Sequence, residues 1–544
     1  VALVALGAGL CAAEVIAAPP DRPAAREGIE VLTRGPVHEA FAEVIAFDRQ
    51  AGVVVPKAPP DAINEVPPDQ KPAGANVAWI PGYWAWDDEQ SDFLWVSGLW
   101  RFLPPGRQWV AGYWGKSDDG YQWTSGYWAD ADARDVEYLP QPPEMVNADP
   151  DGDAPSDNQT WIPGVQVWNQ NGYSVRPGYW AKMQTDWEWI PAHYVSTPRG
   201  YVFVDGYWDY AVNRRGMLFA PVSFDAGVYA QPGFSYSPIN VINTAALIGY
   251  LFVRPSYGHY YFGDYYAANY EGLGYYPPYS FHNHQGYDPF YAQQRWQNRN
   301  DGAWQQSQET QFRNRRNNEE ARPPRTLAAQ AKLATSGKSK DEGFFVAAPL
   351  SELAKSKEHP MKLEAVSKSD KEMHGQSAKA LDNHRAERQK LEAGTPGAGA
   401  KAAADGSAAT KAKLPASPIL AKSRDQLGAD HAPPKIHETP PAEHKAAVKV
   451  DPKATPKVAP KIEPRDEPAR ARKAEPKVEP KVESKPAPKA DAKPAPKADS
   501  KPAPKADSKP GPKPEPKPNP KDQPKPEGPP AESKEKPNKE KPKK

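Results

Sequence analysis

Between residues 77 and 210 the large apolar side chains arrive in pairs five positions apart, and short polar runs separate the pairs. The intact copies are Trp79-Ile80-Pro81-Gly82-Tyr83-Trp84, Trp95-Val96-Ser97-Gly98-Leu99-Trp100, Trp109-Val110-Ala111-Gly112-Tyr113-Trp114 and Trp123-Thr124-Ser125-Gly126-Tyr127-Trp128. Looser copies begin at Trp161, Val175, Trp189 and Phe203. Starts advance by roughly 14 residues within each set of four, and the sets are offset by about 82, so a short unit sits inside a longer duplication. A step of about 14 is too short for two helices and a loop, but it holds one strand and one turn. The intervening runs, such as Ser117-Asp118-Asp119-Gly120 and Thr197-Pro198-Arg199-Gly200, supply the Gly, Pro, Asn and Asp that hairpins need. The pattern predicts antiparallel meanders forming two four-stranded sheets, residues 77–130 and 159–210, in an all-β repeat head.

Folding each hairpin about the centre of its turn makes partner numbers add to a constant, 237 for the turn at Ser117–Gly120 and 209 and 179 for the two before it. Trp109 then faces Trp128, Trp114 faces Trp123, Trp95 faces both Trp84 and Trp114, and Trp100 faces both Trp79 and Trp109. Five residues reverse parity, so each face carries one Trp ladder. Gly82 falls opposite Ser97, and Gly98 opposite Pro81, so a small-residue furrow runs beside the ladders. In the second set one ladder persists as Trp161, Trp180, Trp189 and Trp208, but the other is reduced to Gln166, Val175, Tyr194 and Phe203. A bulge at the repeated glycine would undo this assignment. The ladder common to both sheets reads as core. The one that is all Trp only in the first set (Trp84, Trp95, Trp114 and Trp123) is the candidate ligand face, an aromatic platform for sugar rings or extended chains.

These residues resemble the bacterial Trp-x-x-Gly-x-Trp repeat family, also called YXWGXW repeat proteins, over about a quarter of the chain. Val175, Phe203, Ala192 and Gln166 depart from the motif. The resemblance implies an exported bacterial repeat protein and supplies no catalytic residues.

Outside the repeats the apolar pattern breaks up. Val1 to Leu10 is an apolar run ending in small residues, which reads as the end of a signal peptide (residues 1–17) cleaved after Ala13 or Ala17. Cys11 raises a lipid anchor, but Leu10 stands where such signals want Gly or Ala, so plain secretion to the periplasm or cell surface is expected. It is the single cysteine, which leaves no disulfide framework and no cysteine metal site. No later stretch is long enough to span a bilayer; Ile239 to Val253 reads as a buried strand pair. Residues 18–76 are Pro-rich and read as an extended leader, and residues 131–158 as an acidic linker. Within the linker Asn147 to Asp153 approaches a calcium loop but ends in Asn158 rather than a bidentate Glu, so no metal is assigned. Residues 211–304 turn from Trp to Tyr and read as a β-rich module packed on the second sheet, with His259, His282 and His284 as surface histidines. Residues 305–450 read as disordered with marginal helices near 326–334 and 377–392, and residues 451–544 as a disordered Lys/Pro-rich tail. Its lysines recur every fourth residue from Lys477 to Lys525, and the prolines forbid a helix there.

The net charge of +1 conceals a division: residues 1–210 hold about 29 acids and 13 bases, leaving the remainder near +17. Such a tail suits anionic envelope polymers or serves as a spacer; export disfavours nucleic acid. No nucleophile elbow, phosphate-binding loop or metal-protease helix is present, and paired carboxylates such as Asp87 with Asp88 sit in turns. The expectation is a non-enzymatic cell-envelope structural or adhesion protein without cofactors; the alternative is a polysaccharide- or peptidoglycan-binding module.

Overall fold

The computed structural model describes residues 28–143, 150, 152–170, 172–336, 345–353, 361–393, 409–422, 426–427 and 433–434. The signal remnant, most of the calcium-like loop and the Lys/Pro tail lie outside the described residues. The described chain is mostly short antiparallel strands with few helices.

Each pair of motif copies forms one two-stranded hairpin, bent where the Gly stands. In the first, Val77–Ile80 and Tyr83–Asp87 pair with Leu99–Phe102 and Asp92–Val96. The second joins Arg107–Val110 and Tyr113–Ser117 to Tyr127–Asp130 and Gly120–Thr124. The third runs from Gln159–Ile162 to Tyr179–Lys182, and the fourth from Trp187–Ile190 to Tyr207–Tyr210. No residue is inserted at any bend: Trp79 faces Trp100 and Trp84 faces Trp95 in one constant register. Trp109 likewise faces Trp128, and Trp114 faces Trp123. Cross-strand Trp rings meet edge to face or tilted at 5.1–5.4 Å between centroids in all six all-Trp pairs, the geometry that the ring quadrupole favours.

The two four-stranded meanders do not form. Leu103 to Gly106 closes no hairpin, so Trp95 does not face Trp114 and Trp100 does not face Trp109. Strand Gly216–Leu218 takes that edge instead, placing Met217 opposite Trp100, while Val222 pairs with Trp95. Asn76 explains the diversion: its main-chain and side-chain groups both bond Leu103, with Nδ2 donating to the carbonyl at 2.8 Å, which turns the chain away.

The leader is no appendage. Val37 to Ala46 runs through the core with Ala40, Phe41 and Val44 fully buried, and Val54–Val55 extends the second hairpin at Tyr121 and Gln122. The Tyr-rich module does not pack as a unit on the second set. Its strands Val222–Phe224 and His259–Phe262 pair with leader strands Ile29–Val31 and Gly35–Pro36. The expected strand pair at Ile239 to Val253 holds a short helix, Thr244–Ile248, capped by Asn243. In the acidic linker Asp135–Tyr138 is a strand paired with Thr410–Lys413. In residues 305–450 the helices expected near 326–334 and 377–392 stand as Leu327–Thr335 and the longer Lys368–Ala393, and Trp304–Asn317 is a further helix that the sequence reading did not place. Helix Lys368–Ala393 buries Leu381, His384, Arg388 and Glu392 on one side. No helix among the described residues is long and apolar enough to cross a membrane.

Candidate functional site

The candidate face is covered. Trp84, Trp95 and Trp123 are 4%, 1% and 2% exposed, and Trp114 is half-buried. The structure brings the four together in pairs, Trp84 against Trp95 and Trp114 against Trp123. All four indole N–H groups are bonded inside the protein: Trp84 to the Asp61 carbonyl, Trp114 to the Trp84 carbonyl, Trp95 to Glu65 and Trp123 to Glu39. In the other ladder the Trp79, Trp100, Trp189 and Trp208 nitrogens are buried with no partner. The two ladders therefore differ in chemistry. Those four pack without a polar partner, although Trp128 of the same ladder donates at 3.3 Å to the Ala40 carbonyl, whereas three of the four Trp residues of the candidate face donate to leader residues and Trp114 donates to the Trp84 carbonyl.

Glu65 sits in the bend of the first hairpin. Its carboxylate accepts from Gly82 N at 2.7 Å, Gly98 N at 2.9 Å and Trp95 Nε1 at 3.0 Å. Glu39 occupies the second bend and accepts from Gly126 N at 3.0 Å and Trp123 Nε1 at 2.9 Å. Backbone N–H groups converging in this way form an anion-binding concavity. The expected small-residue furrow is thus the place where the strands bend and carboxylates lodge. Glycine is required there: a Cβ at Gly98 would stand 2.6 Å from both Glu65 Oε2 and the Trp79 ring, and one at Gly126 would stand 2.5 Å from the Trp109 ring. The motif's internal logic follows, with each such Gly lying under the leading Trp of the opposite copy. In the fourth hairpin Phe203 replaces that Trp, Ala192 replaces the Gly, and Gly206 N is served by the motif's own Asp205.

The second bend is held from its other side by the helix Lys368–Ala393. Arg388 Nη1 donates to the carbonyls of Ala111 and Ser125 at 2.9 and 3.0 Å, and Arg385 Nε donates to Gly112 O. Arg388 also pairs with Glu392 at 2.9 Å, and both side chains are fully buried. A third leader acid, Glu43, accepts from Trp128 N and the Tyr207 hydroxyl.

Sequence reasoning missed Glu39, Glu43 and Glu65. The available signal was an acid inside an apolar run, as at Val37 to Ala46 and Ile63 to Val66. Histidine placement also needs correction, for His259 and His282 are buried and only His284 is exposed. His259 Nδ1 bonds the Tyr257 carbonyl and Nε2 the Tyr83 hydroxyl, both at 2.8 Å, which makes it a core residue. Among the described residues no group of three or more His, Cys, Asp or Glu is placed to hold a metal ion. A cavity of about 240 Å³ lies between the third and fourth bends, lined among others by Arg49, Pro163, His193 and Tyr194.

Burial dominates the titration of these groups. It pushes Glu39, Glu65 and Glu188 up to about 7 and Asp288 up to about 6. Burial also lowers His38, His193, His259 and His282 to about 3. A carboxyl raised on folding contributes stability at low pH that is lost as pH climbs from its ordinary value to about 7. A histidine lowered on folding acts oppositely, losing stability as pH falls from about 6.5 to about 3. The raised acids, Glu43 among them, and the lowered histidines act in opposite directions between about pH 4.5 and 6, each at up to ~1.4 kcal/mol per pH unit. Below that window only the histidines continue. Urea midpoints measured against pH should therefore fall steeply below about 4.5. A midpoint that rises as pH drops from about 4.5 to 3.5 would contradict this assignment.

The WXXGXW repeat model matches residues 74–101, 171–193 and 199–216. The stretch 74–216 carries WXXGXW repeats. No curated protein and no solved structure matches the chain. The matched residues include the bend glycines Gly82, Gly98, Gly178 and Gly206, so the WXXGXW motif covers the part of each hairpin where Trp crosses over Gly.

Proposed function

We propose that this WXXGXW repeat protein is a non-enzymatic structural or adhesion protein exported to the bacterial cell envelope. Its bent hairpins act as a rigid scaffold, and its basic C-terminal segment, outside the described residues, acts as a tether to anionic envelope polymer. The observation that carries the scaffold reading is the burial of Trp84, Trp95 and Trp123 with their indole nitrogens bonded inside the chain. A sugar platform needs open ring faces, and burial weighs against one here.

The test is titration of the protein with peptidoglycan fragments and envelope polysaccharides, read by intrinsic Trp fluorescence. No saturable change is expected, while Trp95→Ala should lower the unfolding free energy by about 3–5 kcal/mol. Saturable quenching by one glycan, abolished in Trp114→Ala at unchanged stability, would overturn the scaffold reading in favour of a glycan-binding module.

A further inference from the structure

The third hairpin repeats the bend geometry of the first two, but no acid among the described residues is bonded to the glycines of its bend. Gly164 and Gly178 occupy the positions of Gly82 and Gly98, and the atoms nearest an added Cβ at either belong to its own hairpin: Arg176 O, Pro177, Ile162 O and the Trp161 ring. At the first and second bends the same construction meets Glu65 and Glu39. The third hairpin is also the least covered. Its strand Gly172–Arg176 pairs on one side only, Val175 is 66% exposed, and Trp161, Trp168 and Trp180 are half-buried. Where the first two hairpins are closed over by leader or helix, this one presents half-open aromatic rings and, among the described residues, an edge without a strand partner.

The two occupied bends say what fits. Each takes a glutamate two residues after a β-branched residue on an extended stretch: Val37-His38-Glu39 at the second bend and Ile63-Asn64-Glu65-Val66-Pro67 at the first. The same spacing returns in Ile436-His437-Glu438-Thr439-Pro440, which combines the His of one plug with the Pro of the other. Those residues lie outside the described residues. The chain approaching them is anchored, since Trp109 N donates to Ile419 O and Lys422 N to Asn76 Oδ1. Glu438 lies sixteen positions after Lys422, a reach of roughly 50 Å when extended, about the diameter of a compact body of this length.

We propose that the bend of the third hairpin is an acid socket and that its occupant is the chain's own Ile436–Pro440 segment, with Glu438 accepting from Gly164 and Gly178 N–H. Ile436 then lies against the half-open Trp rings, and the negative side chain meets the two glycine N–H groups. Val175 stands where Trp95 and Trp123 each donate an indole N–H, so this socket lacks the aromatic donor of the other two.

Hydrogen exchange of the full chain, read by mass spectrometry over residues 160–182, tests this. Glu438→Ala should speed exchange at the bend roughly tenfold, about the loss of one charge-assisted hydrogen bond, while exchange in the first and second hairpins stays unchanged. Glu443→Ala, nearby in sequence, should change nothing. Unchanged exchange in Glu438→Ala, or an equal response to Glu443→Ala, overturns the proposal. Protection that is independent of protein concentration supports a plug from the same chain; protection that grows with concentration means a second copy supplies it and overturns the intramolecular assignment.

Discussion

Glu65→Ala should lower the unfolding free energy by about 3–5 kcal/mol, among the largest single-residue effects expected in this protein. The change removes the acceptor of three buried donors at once, Gly82 N, Gly98 N and Trp95 Nε1. A buried N–H left without a partner costs about 1–3 kcal/mol, and water entering the vacated space recovers part of that. No cation contributes: the groups bonded to Glu65 are all neutral N–H donors, and burial drives its carboxyl up to about 7. Glu65→Gln separates shape from charge. It keeps one oxygen but turns an amide NH2 toward donors, so an intermediate loss of about 2 kcal/mol is expected. It should also remove one group's share of the fall in stability between about pH 4.5 and 7. Urea denaturation at several pH values measures both. If Glu65→Ala falls within 1 kcal/mol of the parent, the carboxylate is not what holds the bend. The same change at Glu39 should add to it, because the two acids serve different hairpins.

The parts of the fold legible in the sequence are those set by neighbouring residues. Turn chemistry placed the hairpins, and counting about each turn placed Trp79 opposite Trp100 and Trp109 opposite Trp128, as found. The bends kept that register, since a glycine lets the strand fold over a Trp ring without inserting a residue. What failed was decided by distant chain. Leu103 to Gly106 has good hairpin composition, but Asn76 captures it and strand Gly216–Leu218 replaces the expected partner. Parity sorted the Trp residues correctly onto two faces and marked Trp84, Trp95, Trp114 and Trp123 as chemically distinct. Parity cannot say what covers a face, and here Pro-rich leader residues do so, through Asp61, Glu65 and Glu39. A Pro-rich composition forbids regular helices, but it does not prevent burial of an extended segment. Val37 to Ala46 satisfies its polar groups from the hairpins around it, as when Arg101 Nε donates to Ala40 O.

Arg388→Met should also lower the unfolding free energy by about 3–5 kcal/mol, because it leaves a buried carboxylate without its cation. Glu392 would retain only the hydroxyls of Tyr113 and Tyr138, at 2.7 and 3.2 Å. The carbonyls of Ala111 and Ser125 would lose their donor at the second bend, and the guanidinium would vanish from its place over the Tyr113 and Tyr127 rings. Methionine fills most of the volume, so the loss reports polar chemistry rather than a cavity. Adding Glu392→Leu should restore at least about 1 kcal/mol, since removing both charges costs less than stranding one. Urea midpoints of the two single variants and the double variant give that coupling directly. Limited proteolysis supplies a second readout: cleavage within Lys368–Ala393 should accelerate in Arg388→Met ahead of cleavage in the hairpins, because the helix's other face is exposed and polar. A parent-like midpoint together with unchanged cleavage would mean that the helix only rests on the head. A loss of the expected size would make residue 388, in a stretch whose composition suggests disorder, as much part of the second hairpin's bend as the motif glycines themselves.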